Sequence, residues 1–303
     1  YAYRTRLALG AILPIPPNNI FYNLSDNEWH WLNTLGYRSD RLVSRMLPSL
    51  PPEELQSRVV GTAGNAALRE GFVAYTLFKK LYEKHVGPLS KSAAILDFGC
   101  GWGRILRFFL KDVNPAKLYG ADCRQDLIDI CRQTNRWCAF ERNDVLPPAR
   151  FKNATFDLVY CYSVFSHLAE PVHHLWLKEL DRIMRPGGIL IATTWHREFL
   201  LWCESLRKDS SLPCEPNWRT QLLKAFLDTE RALRAYDAGM FCFSKYDKDA
   251  HPWAWHGDEP CYGEACIPPG YVSAVWTKYF DFVEFIDDRN ACPQNVIVMK
   301  KRA

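Results

Sequence analysis

The sequence predicts an α/β protein built on a mostly parallel sheet of seven strands, and three observations support this prediction. Short apolar stretches alternate with helical patterns between residues 94 and 194. A glycine-rich turn follows the first apolar stretch. Two further apolar stretches near the end of the chain are separated only by Asp287–Gln294. Alternating strands and helices indicate βαβ units in a parallel sheet. Strands joined by so short a segment form a hairpin, so the last strand is expected to be antiparallel to its neighbour.

The individual elements follow from local apolar patterns. Predicted strands share short runs rich in branched and aromatic residues, and they span 94–98, 117–122, 137–141, 156–163, 189–194, 280–286 and 295–300. Predicted helices have apolar residues near helical spacing, and they span 65–85, 104–111, 126–134, 171–184 and 271–279. Gly87 and Pro88 end the first of these helices, and Arg185-Pro186-Gly187-Gly188 ends the fourth. A further helical pattern runs from Leu222 to Leu233 and closes near Gly239.

Composition restricts the class of protein. The chain has 303 residues, is 48% hydrophobic and carries a formal net charge of +4, which is typical of a globular protein and too weakly basic to favour nucleic acid as a partner. Eleven cysteines, an odd number without a repeating pattern, indicate reduced thiols in the cytoplasm. The apolar run Leu7–Pro17 is too short and too rich in proline to span a membrane. Because the chain begins at Tyr1, we expect it to be part of a longer polypeptide.

The strongest motif is Ile95-Leu96-Asp97-Phe98-Gly99-Cys100-Gly101-Trp102-Gly103-Arg104. Here a buried strand carries Asp97 to its carboxyl end, and three alternate glycines then turn the chain into a helix whose amide groups face a ligand. Two later strand ends also carry acids, at Asp122 and at Asp144 within Asn143-Asp144-Val145. A carboxylate at Asp122 can accept hydrogen bonds from both hydroxyls of a ribose. The motif therefore indicates a nucleoside-containing ligand.

Residues 94–195 resemble the core of a class I, Rossmann-like S-adenosylmethionine-dependent methyltransferase. The tail from Tyr262 to Trp276, with the last two strands, resembles the small-molecule subgroup of that family. Arg182–Gly188 is similar to a turn that this family carries before its fifth strand. The resemblance implies contacts with S-adenosylmethionine, and with its product S-adenosylhomocysteine, at Asp97, Gly99, Cys100, Gly101, Gly103, Asp122, Cys123, Asp144, Val145, Cys161 and Tyr162. A dinucleotide-binding domain is the near alternative, but it requires glycine at the sixth position of the turn, where this chain has Arg104.

We expect residues 1–90 to form a helical extension and residues 91–303 the methyltransferase domain, with an insertion at about 196–275 that binds the acceptor. The helix near Arg69–Tyr75 is interpreted as a lid over the cofactor. His167, after the fourth strand, is the candidate base, since histidine titrates near neutral pH. The alternative is a histidine that makes only structural hydrogen bonds. His173 and His174 are expected on a solvated helix face.

The aromatic-rich part of the insertion supplies candidate substrate contacts, namely Trp255, Tyr262, Glu264 and Tyr271. The spacing of Cys261 and Cys266 is poor for zinc, and no metal is expected. The predicted function is methyl transfer to oxygen or nitrogen of a small metabolite, such as a sugar or a natural-product intermediate. The alternatives are methylation of a protein or an RNA, and a module that binds the cofactor without catalysis. The sequence leaves the oligomeric state open.

Overall fold

A computed structural model of the chain describes residues 21–36 and 41–303. The run Leu7–Pro17, considered above for membrane insertion, lies outside these residues. Within the described ranges, no helix is long and apolar enough to cross a membrane. All eleven cysteines are free thiols.

Helices and strands alternate through the middle of the chain as predicted. The described α-helices are α1 (Asp26–Trp31), α2 (Arg41–Met46), α3 (Glu53–Val60), α4 (Gly64–His85), α5 (Gln125–Thr134), α6 (Glu170–Ile183), α7 (Arg197–Lys208), α8 (Pro216–Leu222), α9 (Thr229–Asp237) and α10 (Pro269–Val275). The described strands are β1 (Ile95–Phe98), β2 (Leu118–Asp122), β3 (Ala139–Arg142), β4 (Phe156–Cys161), β5 (Met184–Thr194), β6 (Cys242–Lys245), β7 (Trp255–His256), β8 (Glu259–Pro260), β9 (Gly263–Cys266), β10 (Phe280–Ile286) and β11 (Asn295–Lys301).

Seven of these strands form one sheet in the order β10-β11-β5-β4-β1-β2-β3. Strand β1 pairs in parallel with both β2 and β4, and β2 pairs in parallel with β3. Strand β11 is antiparallel to both β5 and β10. The predicted fold class, a mostly parallel seven-stranded sheet with an antiparallel last strand, is therefore confirmed. In such a sheet the carboxyl ends of the parallel strands are where ligands bind.

The chain divides into two compact units. The first comprises Tyr1–Asn143 and Phe156–Tyr160, and the second comprises Asp144–Thr155 and Cys161–Ala303. Within the first unit, α4 contributes to the core: Tyr75 is fully buried, its ring lies 4.9 Å from that of Phe109, and its hydroxyl donates to Asp112 over 2.5 Å. The ring of Phe78 lies 5.2 Å from that of Tyr160. This helix is thus packed into the unit along its length.

The helix predicted at 104–111 differs in the structure. Residues 101–105 form turns, and residues Leu106–Lys111 then form a 3₁₀-helix. The amide of Phe108 donates to the carbonyl oxygen of Ile105 and the amide of Asp112 donates to that of Phe109, each over 3.0 Å, which is the three-residue spacing of a 3₁₀-helix. The indole N–H of Trp29 on α1 donates to the carbonyl oxygen of Phe108 over 2.8 Å.

The second unit also departs from three sequence predictions. Strand β5 begins at Met184, earlier than the predicted start at residue 189. The helical pattern of 222–233 is split into α8 and α9, because Phe226 has a positive φ of 47° and Asp228 caps a new helix by accepting from the amide of Arg231. The last predicted helix becomes α10 followed by a 3₁₀ turn, Trp276–Lys278.

Candidate functional site

The loop after β1 has the backbone geometry that requires glycine. Gly99, Gly101 and Gly103 have φ values of 78°, 54° and 77°, a left-handed region that other residues rarely adopt. The amides of Gly99 and Cys100 both donate to the carbonyl oxygen of Ala121 on β2, over 2.8 and 3.0 Å. The loop is thereby attached to the end of the neighbouring strand, and these two amides are bonded within the protein.

Asp122, at the end of β2, accepts two backbone hydrogen bonds. The amide of Gly101 donates to its Oδ2, and the amide of Arg124 donates to its Oδ1, each over 3.0 Å. Burial raises the pKa of Asp122. Each carboxylate oxygen keeps a lone pair for a further donor. The residue thus links the glycine loop to the strand end and can still accept the hydroxyl hydrogens of a ribose. Cys123 follows it, and burial raises the pKa of this thiol to about 11.

Asp97 is buried at the end of β1, and this burial raises the pKa of Asp97 to about 7. The negative charge of Asp122 contributes to this raised value, and the positive charge of Arg104 opposes it. The indole N–H of Trp102, within the glycine loop, is also buried and has no hydrogen-bond partner among the described residues. A buried carboxyl group with a raised pKa and an unpaired donor fit a ligand that brings both an ammonium and an acceptor, as the amino-acid part of S-adenosylmethionine does.

The N-terminal helices pack directly on this loop. A Cβ atom at Gly101 would lie 3.3 Å from Cγ1 of Val59 on α3. Arg104, directly after the loop, donates to Glu70 on α4 over 2.8 Å. Tyr75, in the segment interpreted as a lid, is enclosed in the core of the unit. A lid function for the N-terminal helices stays a prediction. Deleting α4 would remove buried core residues, so the prediction is better tested with point variants at the residues of α3 that contact the loop.

We expect Asp97→Asn to change how the stability of the protein depends on pH. In the folded protein Asp97 keeps its proton up to about pH 7, whereas in the unfolded chain it loses it near 3.8, the ordinary pKa of an aspartate. The folded state therefore binds more protons between these values, so its free energy of unfolding falls as the pH rises from about 4 to about 7. Between pH 5 and pH 8 the free energy of unfolding of the wild type should fall by about 2–3 kcal/mol more than that of the variant.

Urea denaturation of both proteins at pH 5 and pH 8 tests this prediction. Asp129→Asn, which removes an exposed carboxylate from α5, is the matched control and should follow the wild type. Equal pH dependence in Asp97→Asn and the wild type would show that Asp97 is already ionised in the folded protein.

The remaining predicted cofactor residues lie at other strand ends. At the end of β3, Asn143 is buried in the first unit, and its amide donates to the carbonyl oxygen of Asp122 over 3.1 Å. Asp144 begins the second unit and is exposed. The carbonyl of Val145 accepts from the indole of Trp176 over 2.9 Å. Two more predicted residues lie at the end of β4, the buried Cys161 and the half-buried Tyr162.

The second unit holds His167 in one orientation. Its Nδ1 lies 2.8 Å from the carbonyl oxygen of Gly263, an atom that can only accept, so Nδ1 carries the hydrogen and Nε2 has the free lone pair. The imidazole stacks on the ring of Tyr262, with centroids 4.9 Å apart and planes 9° apart. The side chain is 13% exposed. His167 is therefore a partly accessible base with its basic nitrogen defined.

Ser163, two residues beyond β4, lies beside that nitrogen. Its φ is 57°, a strained value for a serine, and its Oγ is 3.4 Å from Nε2 of His167. Thr193 and Gln294 hold it there: the amide of Ser163 donates to Thr193 over 2.7 Å, and Nε2 of Gln294 donates to the Oγ of Ser163 over 3.0 Å. Sequence reasoning missed these three residues. The four-residue spacing of Ser163 and His167 was the available signal for one of them.

Glu264, predicted to contact the substrate, is fully buried and does not reach solvent. Its Oε2 accepts from the indole of Trp195 over 2.7 Å. Its Oε1 accepts from the indole of Trp218 over 2.8 Å and from the hydroxyl of Tyr246 over 2.6 Å. Oε2 also lies 3.4 Å from Nδ1 of His167. The carboxylate therefore faces the base and three donors within the protein interior, and its contact with a substrate stays a prediction.

The other candidate substrate residues are distributed differently. Tyr262 contacts His167, as described. Trp255 is half-buried, and its indole donates to the backbone of Tyr246 over 3.1 Å. Tyr271 donates to Glu170 over 2.7 Å and belongs to a separate aromatic group. That group includes His173, whose predicted solvent exposure is wrong: it is fully buried against rings such as that of Phe165, and burial lowers the pKa of His173 well below its usual value.

The sequence also matches known proteins over this region. A family model described as a methyltransferase domain matches residues 95–188. An uncharacterized methyltransferase of Schizosaccharomyces pombe is 34% identical over 33% of this chain and 39% of its own length. A trans-aconitate 2-methyltransferase of an Azoarcus species is 30% identical over 34% of this chain and 39% of its own length. A tRNA (carboxymethyluridine(34)-5-O)-methyltransferase of Macaca fascicularis is 32% identical over 36% of this chain and 16% of its own length.

The matched region coincides with the glycine loop, the strand-end acids and the parallel strands described above. Residues 95–188 are accordingly a methyltransferase domain of the class I type, for which S-adenosylmethionine is the cofactor. The chain spans about two fifths of the length of the first two relatives named, and a smaller part of the third. The similarity therefore identifies the domain, and it leaves the acceptor of the methyl group undefined.

Proposed function

We propose that this protein transfers a methyl group from S-adenosylmethionine to oxygen or nitrogen of a small metabolite. On this proposal the cofactor is held by the loop of Gly99, Gly101 and Gly103, with Asp122 accepting from its ribose and Asp97 facing its ammonium group. When bound, the cofactor supplies a methyl group already activated on a sulfonium. The task of the protein is then to position the acceptor and to take up its proton.

His167 performs the second task in this proposal. The acceptor hydroxyl gives its proton to Nε2, its oxygen forms the bond to the methyl carbon, and the carbon–sulfur bond breaks with its electron pair left on sulfur. Tyr262 supports one face of the imidazole, and the carbonyl of Gly263 keeps the proton of Nδ1 in place. The observation that carries the proposal is this fixed tautomer on a partly exposed histidine at the exit of β4.

A tRNA acceptor is the second candidate, because a tRNA methyltransferase is among the relatives. The weakly positive formal charge of +4 gives it little support, since RNA binding usually depends on many basic contacts with phosphate. Small-molecule acceptors are named for other relatives, among them trans-aconitate and fatty acids.

Two measurements on the wild-type protein test the proposal. Calorimetric titration with S-adenosylmethionine and S-adenosylhomocysteine should show micromolar binding of both. Incubation with isotopically methyl-labelled cofactor and a panel of sugars, phenols, amines, carboxylic acids and bulk tRNA should then label a small molecule. Absence of cofactor binding would contradict the proposal as a whole. Binding with label only in tRNA would favour the second candidate, and binding with no label in any acceptor would favour a module that binds the cofactor without catalysis.

A further inference from the structure

The buried carboxylate of Glu264 has no role in the proposed function as stated so far, although it lies beside the proposed base. It is fully buried in the second unit, on β9, next to the residue whose carbonyl holds Nδ1 of His167. Its two oxygens accept from Trp195, Trp218 and Tyr246, all of them neutral groups. A carboxylate is an acceptor-only group, and this set of donors satisfies it without neutralising its charge.

A buried charge of this kind needs compensation. Transfer of an unpaired carboxylate from water into a protein interior is costly unless an opposite charge lies nearby. His167 is placed to provide that charge, because its Nδ1 is 3.4 Å from Oε2 of Glu264. In the resting protein the histidine can be neutral, and it becomes positive only when Nε2 takes up a proton. Glu264 therefore favours the state of His167 that exists after the acceptor has been deprotonated.

We infer that Glu264 and His167 form a proton-accepting pair and that the acceptor is consequently a neutral hydroxyl group. This inference rests on the proposed function and specifies its substrate class. Glu264 is a positioning residue in this pair, since it is enclosed and acts through the imidazole. Ser163, with its Oγ 3.4 Å from Nε2, marks the place where an acceptor hydroxyl would reach the base.

The chemistry of the other acceptor classes explains why a hydroxyl is favoured. A carboxylic acid is already ionised near pH 7, so it needs no base, and its charge would be repelled by that of Glu264. An amine that is neutral at pH 7, such as an aromatic amine, attacks the methyl group through its own lone pair and can lose its proton after the transfer. An alkylamine is cationic at that pH and must lose a proton before it can attack. A hydroxyl must give up its proton during the transfer, and a base whose positive form is stabilised assists that step directly.

The pair can be tested in the apo protein by NMR of ¹⁵N-histidine-labelled samples, with the His167 signals assigned from a His167→Gln spectrum. Among the described residues, the titratable groups in contact with this imidazole are Glu264 and Tyr262, and Ser163, Trp195 and the carbonyl of Gly263 also contact it. In Glu264→Gln the midpoint of proton uptake by His167 should move to lower pH, because the negative charge 3.4 Å from Nδ1 is removed.

Two further variants distinguish a charge effect from a structural one. Tyr246→Phe removes one hydrogen bond from the same carboxylate and leaves its charge, so the midpoint of His167 should stay in place. Glu264→Asp keeps the charge, so it should restore part of the midpoint if the charge, and not the packing, is responsible for the shift. Glu230→Gln, which removes an exposed acid from α9, is the surface control. A folded Glu264→Gln protein with the wild-type midpoint would overturn the pair.

The acceptor class is tested separately with matched sets of small molecules that differ only in carrying a hydroxyl, an amino or a carboxyl group. Hydroxyl compounds should be methylated, and Glu264→Gln should lower kcat for them at least about tenfold while cofactor affinity stays unchanged. Exclusive methylation of carboxylates would overturn the inference and leave the methyltransferase proposal intact. Failure of the wild type to bind the cofactor would instead contradict the proposed function, whereas the NMR midpoints would still report on the pair.

Discussion

Replacement of Asp122 by alanine is expected to weaken binding of S-adenosylmethionine by a factor of 100 or more. The carboxylate connects two parts of the cofactor cradle, since it accepts from the amides of Gly101 and Arg124. Its remaining lone pairs are the proposed acceptors for the ribose hydroxyls. Hydrogen bonds to a charged group contribute roughly 1.5–3 kcal/mol each, so losing two to the ligand corresponds to at least about two orders of magnitude in Kd.

Calorimetric titration of the folded variant measures this effect. Asp126→Ala is the control, because it removes an exposed acid that pairs with Arg124 but makes no bond to the glycine loop. Its affinity for the cofactor should stay within about threefold of the wild type. Thermal denaturation monitored by circular dichroism should accompany both titrations, because the amides of Gly101 and Arg124 lose their partner in Asp122→Ala. A folded Asp122→Ala protein with wild-type affinity for the cofactor would show that Asp122 does not contribute to cofactor binding.

Replacement of His167 by alanine is expected to lower kcat by a factor of about 10² to 10⁴ and to leave cofactor affinity unchanged. The variant loses the nitrogen that takes up the acceptor proton, while the glycine loop and Asp122, in the first unit, keep their contacts. The loss should appear in kcat and kcat/KM together, since proton transfer belongs to the transition state. Steady-state kinetics with the acceptor found in the panel, together with titration of the cofactor, measures both quantities.

His256→Ala is the matched control for that experiment, because it removes an exposed histidine from the same unit. Added imidazole should restore part of the activity of His167→Ala if the loss is that of a base. A kcat within about threefold of the wild type would mean that another group accepts the proton, and His167 would then be a residue that only supports Tyr262 and Gly263.

The positions of the glycine loop and of the strand-end acids were largely predictable from the sequence, and the surroundings of His167 were not. Gly99, Gly101 and Gly103 follow a predicted strand directly, and Asp122 ends the next one, so local pattern places them at adjacent strand ends of a parallel sheet. The environment of His167 is composed of residues far apart in the chain. Gly263 and Gln294 are 96 and 131 positions from their partners His167 and Ser163. No short-range pattern reports such pairs.

Three features of the structure depend on contacts between residues far apart in the chain. The 3₁₀-helix Leu106–Lys111, predicted as an α-helix, is bonded to the indole of Trp29, which is 79 positions away from Phe108. His173 was predicted on a solvated helix face, whereas the rings of Phe165 and Trp276 cover it. Glu264 was predicted to help bind a substrate, and Trp195 and Trp218 enclose it.

The sequence by itself determined the class of the sheet, the glycine turn and the acids at the strand ends, because strand alternation and backbone conformation are encoded within a few neighbouring residues. Only the tertiary structure decided which nitrogen of the His167 imidazole carries the proton, and that a buried carboxylate lies beside that nitrogen. Those properties depend on distances of a few ångströms between groups from separate elements. Burial and hydrogen bonding act over such distances in space, and they produce no periodic pattern in the sequence.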